Sequence, residues 1–230
     1  MYREWVSGVS GVVVWEAARV PVGSGGSTVL PDGCMDLIWH EDGFLVAGPD
    51  TRAQFSDLAT RRNLTAVRFA PGLGPAFFRV DASELRDQRV SLEQIWASRR
   101  VRDIVAAVED DPMSGLVEAV RRDLAEVRPT PLSGLARALG SGMTVAESAS
   151  AIGWSERTLR RRAHQAFGYG PKTLSRVLRF QRALARARAG VDPATIAAEC
   201  GYSDQPHLAR EVRALSGSTL GDLVRPSPGP

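Results

Sequence analysis

The chain has 230 residues and a formal net charge of +3, with 43% hydrophobic and 24% charged residues, the balance of a soluble globular protein with length for two modest cores. No apolar run approaches the roughly 20 residues of a membrane span, and the start lacks a basic segment followed by an apolar core, so a cytoplasmic protein is expected. Two cysteines, Cys34 and Cys200, and three histidines, His40, His164 and His207, argue against a disulfide scaffold or a four-ligand zinc site; neither metal nor cofactor is expected.

The net charge hides an asymmetry. Residues 1–127 hold 14 Arg against 19 Asp and Glu, a net of −5, whereas residues 128–230 hold 15 Lys and Arg against 7 Asp and Glu, a net of +8. An acidic half joined to a basic half suggests a nucleic-acid-facing module attached to something else.

The first eighty residues read as β-structure. The runs "GVVVWEAA", "CMDLIWH", "GFLVAG" and "LTAVRFA" are bounded by "VGSGG", "LPDG", "HEDG" and "APGLG". In "CMDLIWH" one face carries Met35, Leu37 and Trp39, the other Cys34, Asp36, Ile38 and His40, as in a strand with at least one face in a core. Short strands at this spacing suggest a barrel or sandwich. From about Ala82 the period changes. Leu92, Ile95, Trp96, Ile104, Val105 and Val108, then Leu116, Val120, Leu124 and Val127, predict two helices. The expected division is 1–127, a linker at 128–133 ("RPTPLS"), and an all-helical part over 134–230.

That second part holds one plan twice. "GWSERTLRRRAHQAFG" (153–168) and "GYSDQPHLAREVRALSG" (201–217) each run from glycine and an aromatic through a polar turn into an amphipathic helix ending in glycine. Each follows a short helix, in "TVAESASAI" and "DPATIAAEC". Gly153 and Gly201 suit a left-handed turn, Ser155 and Asp204 are plausible N-caps, and Pro206 fits a first helical turn. This is a helix-turn-helix, twice. Leu159, Ala163 and Phe167 are expected inward, with Arg157, Arg160, Arg161 and His164 as a basic stripe on the other side. Leu208, Val212 and Leu215 are expected inward in the second copy, leaving His207, Arg210 and Arg213 outside. The second helix of such a unit enters the major groove of double-stranded DNA, so these residues, with Thr158 and Gln205, are the candidate DNA contacts. The segment "PKTLSRVLRFQRALARARAG" predicts a long helix between the units, whose Arg176, Arg179 and Arg182 either meet phosphates or are solvated or capping; Arg179 joins the candidates.

On "ASAIGWSERTLRRRAHQAFG", "LRFQRAL" and "IAAECGYSDQPHLAREVRALSG", residues from about 132 to 225 resemble the DNA-binding domain of the bacterial AraC/XylS transcription regulators. That resemblance implies two helix-turn-helix units reading adjacent major-groove segments, in a regulator rather than an enzyme. Pro206, Val212 and Leu220 depart from the family's usual residues. The segments "LPDGCMDLIWHEDGFLVAGPDT", "AVRFAPGLGPAFF" and "ASELRDQRVSLEQIW" look like the small cupin-like sensor domain that precedes such domains, implying an α+β chain with an N-terminal β-barrel and two helices.

Three roles compete for the N-terminal half. As a sensor it takes a small-molecule effector, with Trp15, Trp39, Phe55, Phe69, Phe77 and Phe78 as aromatic candidates and Trp15, Trp39 and Phe69 singled out as candidate lining. As a scaffold it only dimerises, giving a homodimer, or meets a partner, with helices in 90–127 as the interface. As a cupin enzyme it needs a His-rich metal set, and it offers only His40. RNA polymerase is a further partner if the chain is an activator.

Overall fold

The structure, a computed structural model, describes residues 2–19, 26–58, 62–128 and 130–225. The glycine-rich turn at 22–25 and Pro129 of the linker lie outside these residues. Six strands form one antiparallel sheet in the order β1-β2-β7-β4-β5-β8: β1 (Tyr2–Val6), β2 (Val12–Ala17), β7 (Leu64–Phe69), β4 (Met35–His40), β5 (Gly43–Ala47) and β8 (Arg89–Ser91). β3 (Ser27–Val29) and β6 (Gln54–Ser56) pair only with each other. The sheet is therefore open at β1 and β8, and the short β3–β6 ribbon adds a second wall where a closed barrel would continue its strands.

Side-chain alternation divides this sheet into two environments. On one face Val12, Val14, Leu37, Val46, Val67 and Phe69 are buried. They pack against Phe77 and Phe78 of α1 (Gly74–Phe78) and the inward stripes of α2 (Ser98–Val108) and α3 (Pro112–Leu124). Val101, Ile104 and Val108, then Leu116, Val120 and Leu124, are those stripes, at the helical spacing read from the sequence. The other face carries Trp15, Ile38, Ala47, Leu64 and Ala66 and turns toward the ribbon.

The C-terminal part is helical: α4 (Leu135–Gly140), α5 (Val145–Ala151), α6 (Glu156–Phe167), α7 (Pro171–Arg188), α8 (Pro193–Cys200), α9 (Gln205–Ser216) and α10 (Leu220–Val224). It has two cores on one shaft. The first half of α7 gives Leu174 and Val177 to a core with Leu159, Ala163 and Phe167. Its second half gives Phe180, Ala183 and Leu184 to a core with Ile196, Leu208, Val212 and Leu215. Burial on successive turns of one 18-residue helix holds the two units at a set separation. No helix of the described residues is long and apolar enough to cross a membrane.

Candidate nucleic-acid interface and cavity

The first unit is α5, a turn and α6. Thr144 and Glu147 form a reciprocal capping box at the start of α5. Gly153 takes a left-handed φ of 68° in the turn. Ser155 then accepts from the Thr158 backbone N–H at 3.2 Å, starting α6. Leu159, Ala163 and Phe167 are wholly buried, which turns Arg157, Arg160 and Arg161 to solvent. These three arginines share one surface depression with Thr158, His164 and Gln165. Thr158 is partly committed, its hydroxyl lying 3.0 Å from that of Ser155. Burial, with Arg160 and Arg86 nearby, lowers the pKa of His164, so it presents a neutral imidazole at neutral pH.

The second unit repeats the plan with a different surface. Asp192 caps α8 through the N–H groups of Ala194 and Thr195, Gly201 has φ 76°, and Asp204 accepts from the His207 N–H at 2.6 Å. Gln205, Arg210 and Arg213 are exposed. The His207 ring is tied into the turn: its Nδ1 accepts from the Ser203 N–H at 3.2 Å and lies 2.9 Å from the Ser203 hydroxyl, and the ring sits edge-on to Tyr202.

The arginines of α7 answer a question the sequence left open. Arg176 grips Glu211 of α9 through Nε at 2.8 Å and a second nitrogen at 3.2 Å. Its guanidinium holds the Glu211 carboxyl below the ordinary glutamate range. Arg182 donates to the carbonyls of Gly140 and Glu199. Arg179 donates to the Gly201 carbonyl at 3.2 Å and lies over the Tyr202 ring, 4.7 Å from its centroid. In this structure the Arg179 fork braces the turn of the second unit because α8 and α9 pack along the same helix.

Between the second face of the sheet and the β3–β6 ribbon lies a cavity of about 390 Å³, with Trp15, Ile38, Leu45 and Phe55 among its apolar walls. Its polar groups form two clusters. Asp36 Oδ1 accepts from Trp15 Nε1 at 2.7 Å and from Arg68 Nε at 3.1 Å, and Arg68 also reaches Glu4 at 3.2 Å. Asp50 is clamped by two nitrogens of Arg89 at 3.0 and 2.5 Å. Burial pushes both carboxyls up in pKa, against the pull of these arginines. Of the aromatic candidates Trp15 and Phe55 line the cavity. Trp39 packs on Phe44 in the opposite layer, and Phe69 is sealed between Phe77 and Phe78 at centroid distances of 4.9 and 5.3 Å. Strand parity is the reason, since both point to the helix-covered face.

Residues 148–225, which hold α6 through α10 and most of α5, match the family model of a helix-turn-helix domain. These residues are an AraC-type helix-turn-helix DNA-binding domain. Residues 12–91 match a domain family of unknown function, DUF6597. No curated protein sequence matches the chain. Among solved structures it is similar to ToxT from Vibrio cholerae. An apo variant of ToxT aligns over 94% of this chain and 97% of that one, at 9% identity and a TM-score of 0.48. ToxT bound to an unsaturated fatty acid aligns over 93% and 94%, at 9% identity and 0.46.

Segments that flank the cavity also touch the helical part of the chain. Pro31 accepts from Gln181 Nε2 of α7 at 2.7 Å, and Leu30 packs against the core of the second unit. The Ala53 N–H donates to the Leu215 carbonyl at 2.7 Å. A Cβ added to Gly168, the cap of α6, would lie 2.6 Å from Pro49. These contacts link residues over a hundred positions apart, and no local sequence pattern announces them.

Proposed function

We propose that the regulator binds a two-part operator through α6 and α9 and that a small molecule in the N-terminal cavity adjusts this binding. The observation that carries the proposal is the segment from Gly48 to Gln54. Gly48, Asp50 and Gln54 line the cavity, while Pro49 abuts Gly168 and Ala53 bonds Leu215. A ligand that moves this segment acts on both units through these two contacts. The division into 1–127, a 128–133 linker and 134–230 is part of the proposal.

The apolar stripes of α2 and α3 are spent inside their own core, which favours the sensor over a scaffold whose main business is a helix-mediated interface. Pairing into a homodimer and contact with RNA polymerase are compatible extensions. The test uses an operator selected from random DNA with the full chain. A compound that raises the melting temperature should also change operator affinity, and both effects should vanish in the cavity-filling variant Ala47→Trp, since Ala47 lines the cavity. An operator affinity that no cavity ligand moves overturns the sensor reading.

A further inference from the structure

The charge of the cavity narrows the chemistry of its ligand. Five aspartates line it, against two arginines, Arg68 and Arg89. Both arginines are already paired with carboxylates: Arg89 is held by both oxygens of Asp50, and Arg68 by Asp36 and Glu4. A carboxylate ligand would have to pull one away and leave a buried carboxylate without its partner, the costly way to break such a pair. A positive group faces the opposite balance. Both hydrogen bonds to Asp36 arrive at Oδ1; among the described residues none reaches Oδ2. The Asp36 side chain is only 13% exposed and lines the cavity. Beside it stands an aromatic corner, with Tyr2 and Trp15 at a centroid distance of 5.6 Å. Aromatic faces attract cations in desolvated sites.

We infer that the cavity takes an organic cation, an amine or quaternary ammonium group on a flat apolar body, with its charge beside Asp36 and its body against Trp15. The cavity falls within the size range of small-molecule pockets, mostly apolar with a few placed polar groups. This inference rests on the sensor reading above and adds the ligand class to it.

The test measures binding to the full chain by calorimetry. The probes are phenethylamine, tryptamine and benzyltrimethylammonium, each set against the carboxylate and the alcohol of the same aryl skeleton. The cations are expected to bind about tenfold or more tightly than their counterparts, the range for a hydrogen bond or contact to a charged group. Asp36→Asn removes the charge but also disturbs the bonds of Trp15 and Arg68. Ser27→Lys therefore serves beside it, because Ser27 is exposed on the ribbon and lines the cavity. Each variant should weaken the cations about tenfold and spare the carboxylates. Carboxylates that bind while cations do not overturn the charge class and leave the sensor reading standing. Cations that bind both variants as they bind the original chain occupy another place, which also overturns the inference. Silence from all three classes removes the inference and the sensor reading together.

Discussion

The backbone N–H of Ala53 donates to the carbonyl oxygen of Leu215 across 2.7 Å. Leu215 is a core residue of α9, two positions before the helix's glycine cap, and Ala53 lies in the segment that walls the cavity. Gln181 repeats the arrangement from α7, and Arg86 donates to the Gly168 carbonyl at 3.5 Å at the end of α6. The N-terminal domain therefore holds both recognition helices at their C-terminal ends, opposite the N-terminal ends that carry Arg157 and Gln205. Docking occupies the opposite ends of these helices from the side chains proposed to read bases.

Two glycines isolate the value of that docking. Gly168 and Gly217 cap α6 and α9 with φ of 79° and 73°. Alanine in this conformation costs about 1 kcal/mol, and that cost is common to both. At Gly168 the new Cβ also lies 2.6 Å from Pro49 and 3.0 Å from the Ala82 carbonyl, while at Gly217 it meets nothing within 4 Å. Gly168→Ala is expected to destabilise the full chain by about 1–3 kcal/mol more than Gly217→Ala and to alter operator affinity. Denaturant unfolding of the two variants measures the difference. Equal losses would mean the domains are not held together at this point.

The helices, turns and faces were legible because their causes are local. Ser155 and Asp204 cap their helices as read, and Leu159, Phe167, Leu208 and Val212 are buried as their spacing requires. The alternation in β4 separated Leu37 from Asp36 correctly, yet it does not say which face meets helices and which a cavity. Trp39 and Phe69 were misplaced for that reason: aromatic character is a property of the residue, whereas the face that stays open depends on where α2 and α3 pack. Arg179 illustrates the same limit. Its period marks it as outward from α7, but α8 and α9 occupy that outward space, so its partners come from residues more than twenty positions away.

The Arg176–Glu211 pair predicts a pH dependence of definite sign. The Glu211 carboxyl is depressed below its ordinary value of 4.5, chiefly by the hydrogen bonds from Arg176. A depressed carboxylate contributes stability that is fully present above the unfolded value and is lost as pH falls through the folded one. The full chain should therefore lose stability from about pH 5 downward, and Glu211→Gln should flatten that loss. At neutral pH the substitution should cost about 1 kcal/mol, since Arg176 is partly solvated. Unfolding midpoints from pH 3.5 to pH 7 test this; parallel curves for the two proteins would show that the pair does not tie α7 to α9 energetically.

Salt dependence sorts the arginines. A basic domain displaces counterions from phosphates, so log affinity should fall linearly with log salt. The internal pairing of Arg176 and Arg182 means that these residues do not add to the slope. Arg176→Ala and Arg182→Ala are expected to lower melting temperature and leave the slope unchanged. Replacing an exposed arginine that sits on a phosphate should lower the slope by about 1. A slope that drops for Arg182→Ala in a well-folded protein would return α7 to the list of DNA contacts.

Base discrimination should divide unequally between the two units. In α6 three guanidinium groups, Arg157, Arg160 and Arg161, stand free on one exposed surface, and a guanidinium fork pairs bidentately with guanine O6 and N7. At the start of α9 the three corresponding positions hold Pro206, Ala209 and Arg210, and His207 stands where α6 has Thr158. Proline offers no donor, and the His207 ring is already engaged with Ser203 and Tyr202, which leaves Arg210 and Gln205 as readers. The first unit is therefore expected to demand a G-containing half-site and the second to anchor mostly through phosphates. Alanine at Arg157, Arg160 or Arg161 should cost about 1–3 kcal/mol and relax preference at particular bases. Alanine at Arg213 should weaken binding evenly across sequences, and alanine at His207 should do so partly by loosening the turn it stabilises. A base-by-base substitution scan of the operator against each variant separates these patterns. If the half-site beneath α9 is the more sequence-demanding, Arg210 and Gln205 carry the reading and the arginines of α6 are the anchors.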